Sequence, residues 1–151
     1  MKRRVPHEGV YARIGLSRVH GVGVRAIREI PAGTMPFRGE SERVTWVSRA
    51  AVRRLPPAVR ELYEDFSMVS GDRLGVPPNL NQLSVGWYVN HSARPNLEAD
   101  DDGRFRALRR IRKGEELTAD YRMFVDEELP FRPGRSGRTR KTAKARVSAR
   151  T

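Results

Sequence analysis

The sequence predicts a mainly β domain of many short strands, interrupted once by a short helical insert. Three observations carry this. Runs of β-branched and aromatic residues of strand length recur along the chain, bounded by Gly, Pro and Asp turn signals. The hydrophobic period lengthens to three and four residues only between Trp46 and Phe66. A length of 151 residues fits one ordinary domain with tails, not two independent cores.

Gly9 to Leu16 and Gly23 to Ile30 predict two strands, the second alternating Val24, Ala26 and Ile30 with Arg25 and Arg28, and Ser17 to Val22 joins them as a hairpin connection. Pro31-Ala32-Gly33 is a turn, because Pro presets one dihedral and Gly tolerates the next, and Thr34 to Arg38 follows as a further short strand. From Trp46 the spacing of Val47, Ala50, Ala51 and Leu55, then Val59, Leu62, Tyr63 and Phe66, predicts two short helices divided at Pro56-Pro57. Ser48 suits the N-cap of the first and Pro57 the first turn of the second, where its missing N–H is no loss. Gly71 to Leu80, with Gly75 and Pro77-Pro78-Asn79, reads as loop. Val85 to Val89 and Asn96 to Ala99 read as strands. Asp100-Asp101-Asp102-Gly103 turns the chain into Arg104 to Leu108, and its spacing is not that of a calcium loop. After the Lys113-Gly114 turn, Glu116 to Ala119 forms the last strand.

The formal charge of +12 is unevenly spread, since residues 132–151 hold eight Arg or Lys and no acid and leave the rest of the chain at +4. That segment has no apolar periodicity and is expected to be disordered, as a basic tail suited to sequence-independent contact with nucleic acid. Residues 1–8 read as a basic N-terminal arm, and 9–131 as the folded domain with its insert at about 46–84. The absence of cysteine excludes disulfides and Cys-rich zinc clusters, and His7, His20 and His91 stand too far apart for a ligand set, so no metal is expected. No window of the chain has the length and apolarity of a membrane span, and the expectation is a cytoplasmic protein or one associated with the nucleoid or chromatin.

The chemistry concentrates between Trp87 and Phe124. Asn90-His91-Ser92-Ala93-Arg94-Pro95-Asn96 stands at one end and Gly114-Glu115-Glu116-Leu117-Thr118-Ala119-Asp120-Tyr121 at the other. Upstream, His20-Gly21-Val22-Gly23-Val24-Arg25-Ala26 precedes Ile30-Pro31-Ala32-Gly33-Thr34. Together these segments resemble the SET-domain protein-lysine methyltransferases, in the family's order and over most of the chain. The resemblance implies small curved sheets with a C-terminal segment threaded so that the Asn90 and Tyr121 segments meet. It implies transfer of a methyl group from S-adenosylmethionine to a lysine of a basic protein or peptide. Tyr121 matches the catalytic tyrosine. The cofactor would rest on the main chain of Gly21, Val22 and Gly23, on Asn90 and on His91, with Phe124 covering it.

Departures from the family pattern are informative. Trp87 stands where many members carry Arg, which leaves the cofactor carboxylate to another partner, with Arg25 as the substitute. Ala119 stands where an aromatic usually limits the lysine channel, so the channel is expected to be roomier and to pass beyond monomethylation unless Tyr63, Tyr88 or Phe124 refills it. Two other readings stand beside catalysis: a SET-like module that binds cofactor or peptide without turnover, and a basic protein associated with nucleic acid. The oligomeric state and the target protein are not written in the sequence.

Overall fold

The computed structural model describes residues 5–37, 44–100 and 103–124, with residues 123 and 124 by backbone alone. The basic arm falls partly, and residues 132–151 wholly, outside the described residues. The described residues divide into two compact bodies: residues 5–37, 84–100 and 104–120 form the first, and 44–83, 103 and 121–124 the second.

The first body is a six-stranded sheet. Strands β1 (Ala12–Leu16) and β2 (Val22–Ala26) form an antiparallel hairpin in which Ala12 faces Ala26 and Leu16 faces Val22. The other strands are β6 (Asn90–His91), β7 (Leu97–Ala99), β8 (Phe105–Ala107) and β9 (Glu116–Ala119). Although β9 is last in the chain, it lies in the middle of the sheet. It runs antiparallel to β2, with Val24 opposite Leu117, and parallel to both β6 and β7. This is the threading that the resemblance implied. A strand inserted there is shielded on both edges, which accounts for its buried sequence Leu117-Thr118-Ala119. Trp87, Val89, Leu97, Ile30, Ile111, Val24 and Leu117 are almost wholly buried. Ile30 and Ile111 exchange both backbone hydrogen bonds at 2.9 Å, and Phe37 meets Phe105 edge to face at 5.9 Å.

The second body contains strands β3 (Thr45–Ser48), β4 (Met68–Ser70) and β5 (Arg73–Val76), with helices α1 (Arg49–Arg53) and α2 (Pro57–Asp65). Ser48 caps α1 as expected, its hydroxyl accepting the Ala51 N–H at 3.2 Å, and the chain re-enters a helix at Pro57. Val52, Val69 and Leu74 form the core of this body, with Val47, Leu55 and Tyr63 packed on it.

Four expectations are corrected. Trp46 and Val47 belong to β3, not to the helical insert: Trp46 lies opposite Gly75, where a β-carbon would stand 2.9 Å from the indole ring. Residues 71–80 are not all loop, because Gly71 takes φ +53° in a two-residue turn that pairs β4 with β5. Val85–Tyr88 is a 3-10 turn, not a strand; the tight turn buries the consecutive Gly86 and Trp87, which strand alternation would send to opposite faces. Residues 34–37 form no strand, although the Thr34 carbonyl accepts the Ala107 N–H at 2.8 Å; Arg38 is outside the described residues.

Candidate active site

The site is organised around the turn between β1 and β2. Its residues Arg18 to Val22 are all exposed, so no apolar side chain anchors it. Hydrogen bonds hold its shape instead. The Ser17 N–H donates to the Gly21 carbonyl at 2.9 Å, and Gly21 takes φ +52°, a conformation that favours glycine. The Ser17 hydroxyl accepts the N–H groups of Val19 and His20 at 2.9 and 3.0 Å and donates to Glu116 Oε1 at 2.5 Å. Glu116 Oε2 accepts the Arg18 N–H at 3.2 Å.

Asn90 enters this turn from β6. Its Nδ2 lies 3.0 to 3.2 Å from Ser17 Oγ, the carbonyls of His20 and Val22, and Glu116 Oε1. Two N–H bonds are therefore shared among four acceptors, and the amide nitrogen is committed to the protein. Gly23 lies beside the same pair, where a β-carbon would collide with Glu116 Oε1 and Asn90 Nδ2. Its missing side chain makes room for these two residues.

Asn96, 2% exposed, does for β9 what another strand's backbone would do. Its Oδ1 accepts the Thr118 N–H at 2.9 Å while its Nδ2 donates to the Glu116 carbonyl at 2.8 Å. On the neighbouring residue, Glu115 accepts from Arg109 at 2.5 Å and from the Arg112 N–H at 2.9 Å. The hydrogen bond from Arg109, with those from Arg112 and Asn96, outweighs partial burial and holds the Glu115 carboxyl below the usual glutamate range.

His91 pairs with Ala119 in the parallel register and places Nδ1 3.8 Å from Asp120 Oδ1. Asp120 thereby lies beside β6, immediately before Tyr121. Arg25 is engaged by the protein: Nε donates to the Leu16 carbonyl at 2.9 Å, Nη1 to the Gly114 carbonyl at 3.0 Å, and Nη2 lies 4.0 Å from Glu116. Those contacts make it a brace of β2.

The first body thus brings Gly21, Val22, Gly23, Asn90, His91 and Ala119 into one framework. Ala119 is 1% exposed and Tyr88 half-buried in its turn. Tyr63 and Tyr121 belong to the second body, Tyr63 against its apolar core and Tyr121 at the start of a 3-10 turn ending at Phe124. From sequence, Ser17 reads only as part of a hairpin connection and Glu116 only as a member of the last strand and its motif. The Glu116 spelling was visible in the motif; its partner Ser17, far away in the chain, had no local signal. A groove of about 420 Å³ lined by Arg13, Gly15, Arg25, Ala26, Ile27, Lys113 and Gly114 includes Arg25 but not Gly21, Val22, Gly23, Asn90 or His91. Among the described residues, no group of His, Asp and Glu is arranged to hold a metal ion, and no helix is long and apolar enough to cross a membrane.

Known proteins agree with this geometry. Over 146 residues the chain is 32% identical to the histone-lysine N-methyltransferase trithorax of Drosophila virilis, a match covering 87% of this chain and 4% of that protein. It is 33% identical over 121 residues to the histone-lysine N-methyltransferase trr of Drosophila melanogaster, covering 74% of this chain and 5% of that one. The chain therefore spans only a small part of these relatives. Among solved structures it is similar to a humanized mutant of the Chaetomium thermophilum Polycomb Repressive Complex 2 bound to the inhibitor GSK126, with TM-score 0.52 and 21% identity over 74% of this chain and 15% of that one. A second is ctPRC2 in an autoinhibited conformation bound to S-adenosylmethionine, with TM-score 0.51, 21% identity and the same coverage. At that identity the likeness speaks for the fold. The SET domain family matches residues 21–122, and the chain belongs to it.

Proposed function

We propose that this chain is an S-adenosylmethionine-dependent methyltransferase acting on a lysine side chain of a basic protein. The parallel pairing of β6 with β9 is the observation that carries the reading, because it lays the Asn90-His91 segment beside the strand that leads into Tyr121. Family membership and the names of the trithorax and trr relatives support the same chemistry. The turn fits the cofactor in one respect and limits it in another. Gly21 and Val22 are exposed, whereas their carbonyls already accept from the Ser17 N–H and the Asn90 amide nitrogen. In this reading the cofactor lies against the exposed turn, with Asn90 holding its backbone in shape.

When bound, S-adenosylmethionine supplies an electrophilic methyl group on a sulfonium. What the chain's own residues contribute is orientation. The Tyr121 hydroxyl directs the neutral lysine amine toward its target. His91 and Asp120 anchor the segment that carries Tyr121, and neither is needed as a strong base. The small, buried Ala119 leaves the lysine channel room for a second or third methyl group.

The test is incubation of the full chain with radiolabelled S-adenosylmethionine and a panel of basic proteins, beside Tyr121→Phe. Label moved by the wild type and reduced by roughly a hundredfold or more in the variant is the expected result. Equal labelling by both would remove Tyr121 from its role. Truncation of residues 132–151 separates the nucleic-acid reading: loss of DNA binding with methyl transfer retained assigns that contact to the tail alone.

A further inference from the structure

A solvent-exposed hairpin turn does not ordinarily require a nearly buried carboxylate, yet Glu116 is 11% exposed beneath this one. Placing a charge there is unfavourable unless its hydrogen bonds are well made. All its described partners are donors: Ser17 Oγ and Asn90 Nδ2 on Oε1, the Arg18 N–H on Oε2, with Arg25 4.0 Å away. The contacts converge on the turn from two directions. Ser17 relays the carboxylate to the Val19 and His20 N–H groups, and Asn90 fixes the His20 and Val22 carbonyls on either side of Gly21. The adjacent Glu115 is a natural contrast. It is 28% exposed, faces Arg109, Arg112 and Asn96, and makes no described contact with the turn.

We propose that Glu116, acting through Ser17, is a positioning residue that presets the Ser17–Gly23 turn for S-adenosylmethionine. The inference rests on the methyltransferase reading and adds to it a division of labour between the paired acids. Glu116 sets cofactor affinity, and Glu115 serves only the sheet. Replacing Glu116 by Gln keeps its size but turns one oxygen into a donor among donors. Replacing Ser17 by Ala removes the relay without touching the carboxylate.

The experiment measures S-adenosylmethionine binding by calorimetry on the full chain for wild type, Glu116→Gln, Ser17→Ala and Glu115→Gln, with Michaelis constants for cofactor and protein substrate. Glu116→Gln and Ser17→Ala are expected to weaken cofactor binding about tenfold or more, as loss of a hydrogen bond to a charged group does. The substrate KM, and kcat at saturating cofactor, should stay within about threefold. Glu115→Gln should leave cofactor affinity unchanged while lowering the melting temperature. Unchanged affinity in Ser17→Ala and Glu116→Gln overturns the proposal, as does an equal loss in Glu115→Gln. Should Glu116→Gln fail to fold, Ser17→Ala decides alone. A wild-type chain that binds no S-adenosylmethionine fails at an earlier point: it overturns the methyltransferase reading and this inference with it.

Discussion

The two bodies of this chain solve the same problem with different chemistry. In the second, a three-stranded sheet and two short helices enclose Val52, Val69 and Leu74, and the order comes from apolar packing. The first has an apolar core of its own around Trp87, Leu97 and Leu117, and its short strands, distant in sequence, are joined in addition by buried polar side chains: Asn90 is 4% exposed and Asn96 2%. Packing tolerates a range of shapes, whereas a buried amide is satisfied only by donors and acceptors in set directions. The difference explains where the legible motif lies. A segment held by directional bonds is confined to a few residue types, and the Asn90–Asn96 and Gly114–Asp120 segments belong to the first body.

The sharpest way to break this contrast is Asn96→Ala. It removes the acceptor of the Thr118 N–H and the donor to the Glu116 carbonyl together, and leaves two groups of a central strand unsatisfied. A loss of about 3–4 kcal/mol is expected, since each orphaned buried group costs about 1–3 kcal/mol. Chemical denaturation checks it; a cost under about 1 kcal/mol would mean that water replaces the amide. The apolar counterpart is Leu74→Ala, where truncation of a residue at the rim of its core should cost about 2 kcal/mol, the low end for such changes. Leu74→Met, which keeps volume, should cost about 1 kcal/mol or less. If Leu74→Met proved as damaging as Asn96→Ala, the distinction between packing and directional bonding would fail.

The same contrast decides what was legible in the sequence. Local signals were read correctly where local physics governs: the Ser48 cap, the break at Pro56-Pro57, the strand from Glu116 to Ala119. The β4–β5 hairpin was missed because Gly75 and Pro77 suggested loop, although Gly71-Asp72 between two short runs carried a hairpin signal. In Val85–Tyr88, β propensity lost to the burial of Trp87. The pairing of β9 with β2, β6 and β7 has no local signature, and only the resemblance supplied it. The site was legible as spelling, in Asn90 and the paired acids, but its wiring was not. That Ser17 meets Glu116, and that Asn90 turns its amide inward, depends on contacts between residues far apart in the chain.

Glu115 supplies the finest test of the difference between directional bonds that are buried and those that are not. Its carboxyl is held below the usual range chiefly by the hydrogen bond from Arg109, so the folded state binds its proton more weakly than the unfolded chain does. The linkage sign follows: stability from this group is present above the unfolded pKa of about 4.3 and is lost as pH falls through the lower folded value. Because Arg109 is 54% and Glu115 28% exposed, solvent screens the pair, and the contribution should stay below about 1 kcal/mol. Unfolding free energies of wild type and Glu115→Gln, measured between neutral and strongly acidic pH, should differ by that small amount at neutral pH and converge in acid. Added salt should shrink the difference at neutral pH. A gap that persisted in acid would show that Glu115 contributes by shape and not by charge, and would place it with Asn96 among the residues whose geometry the sheet cannot replace.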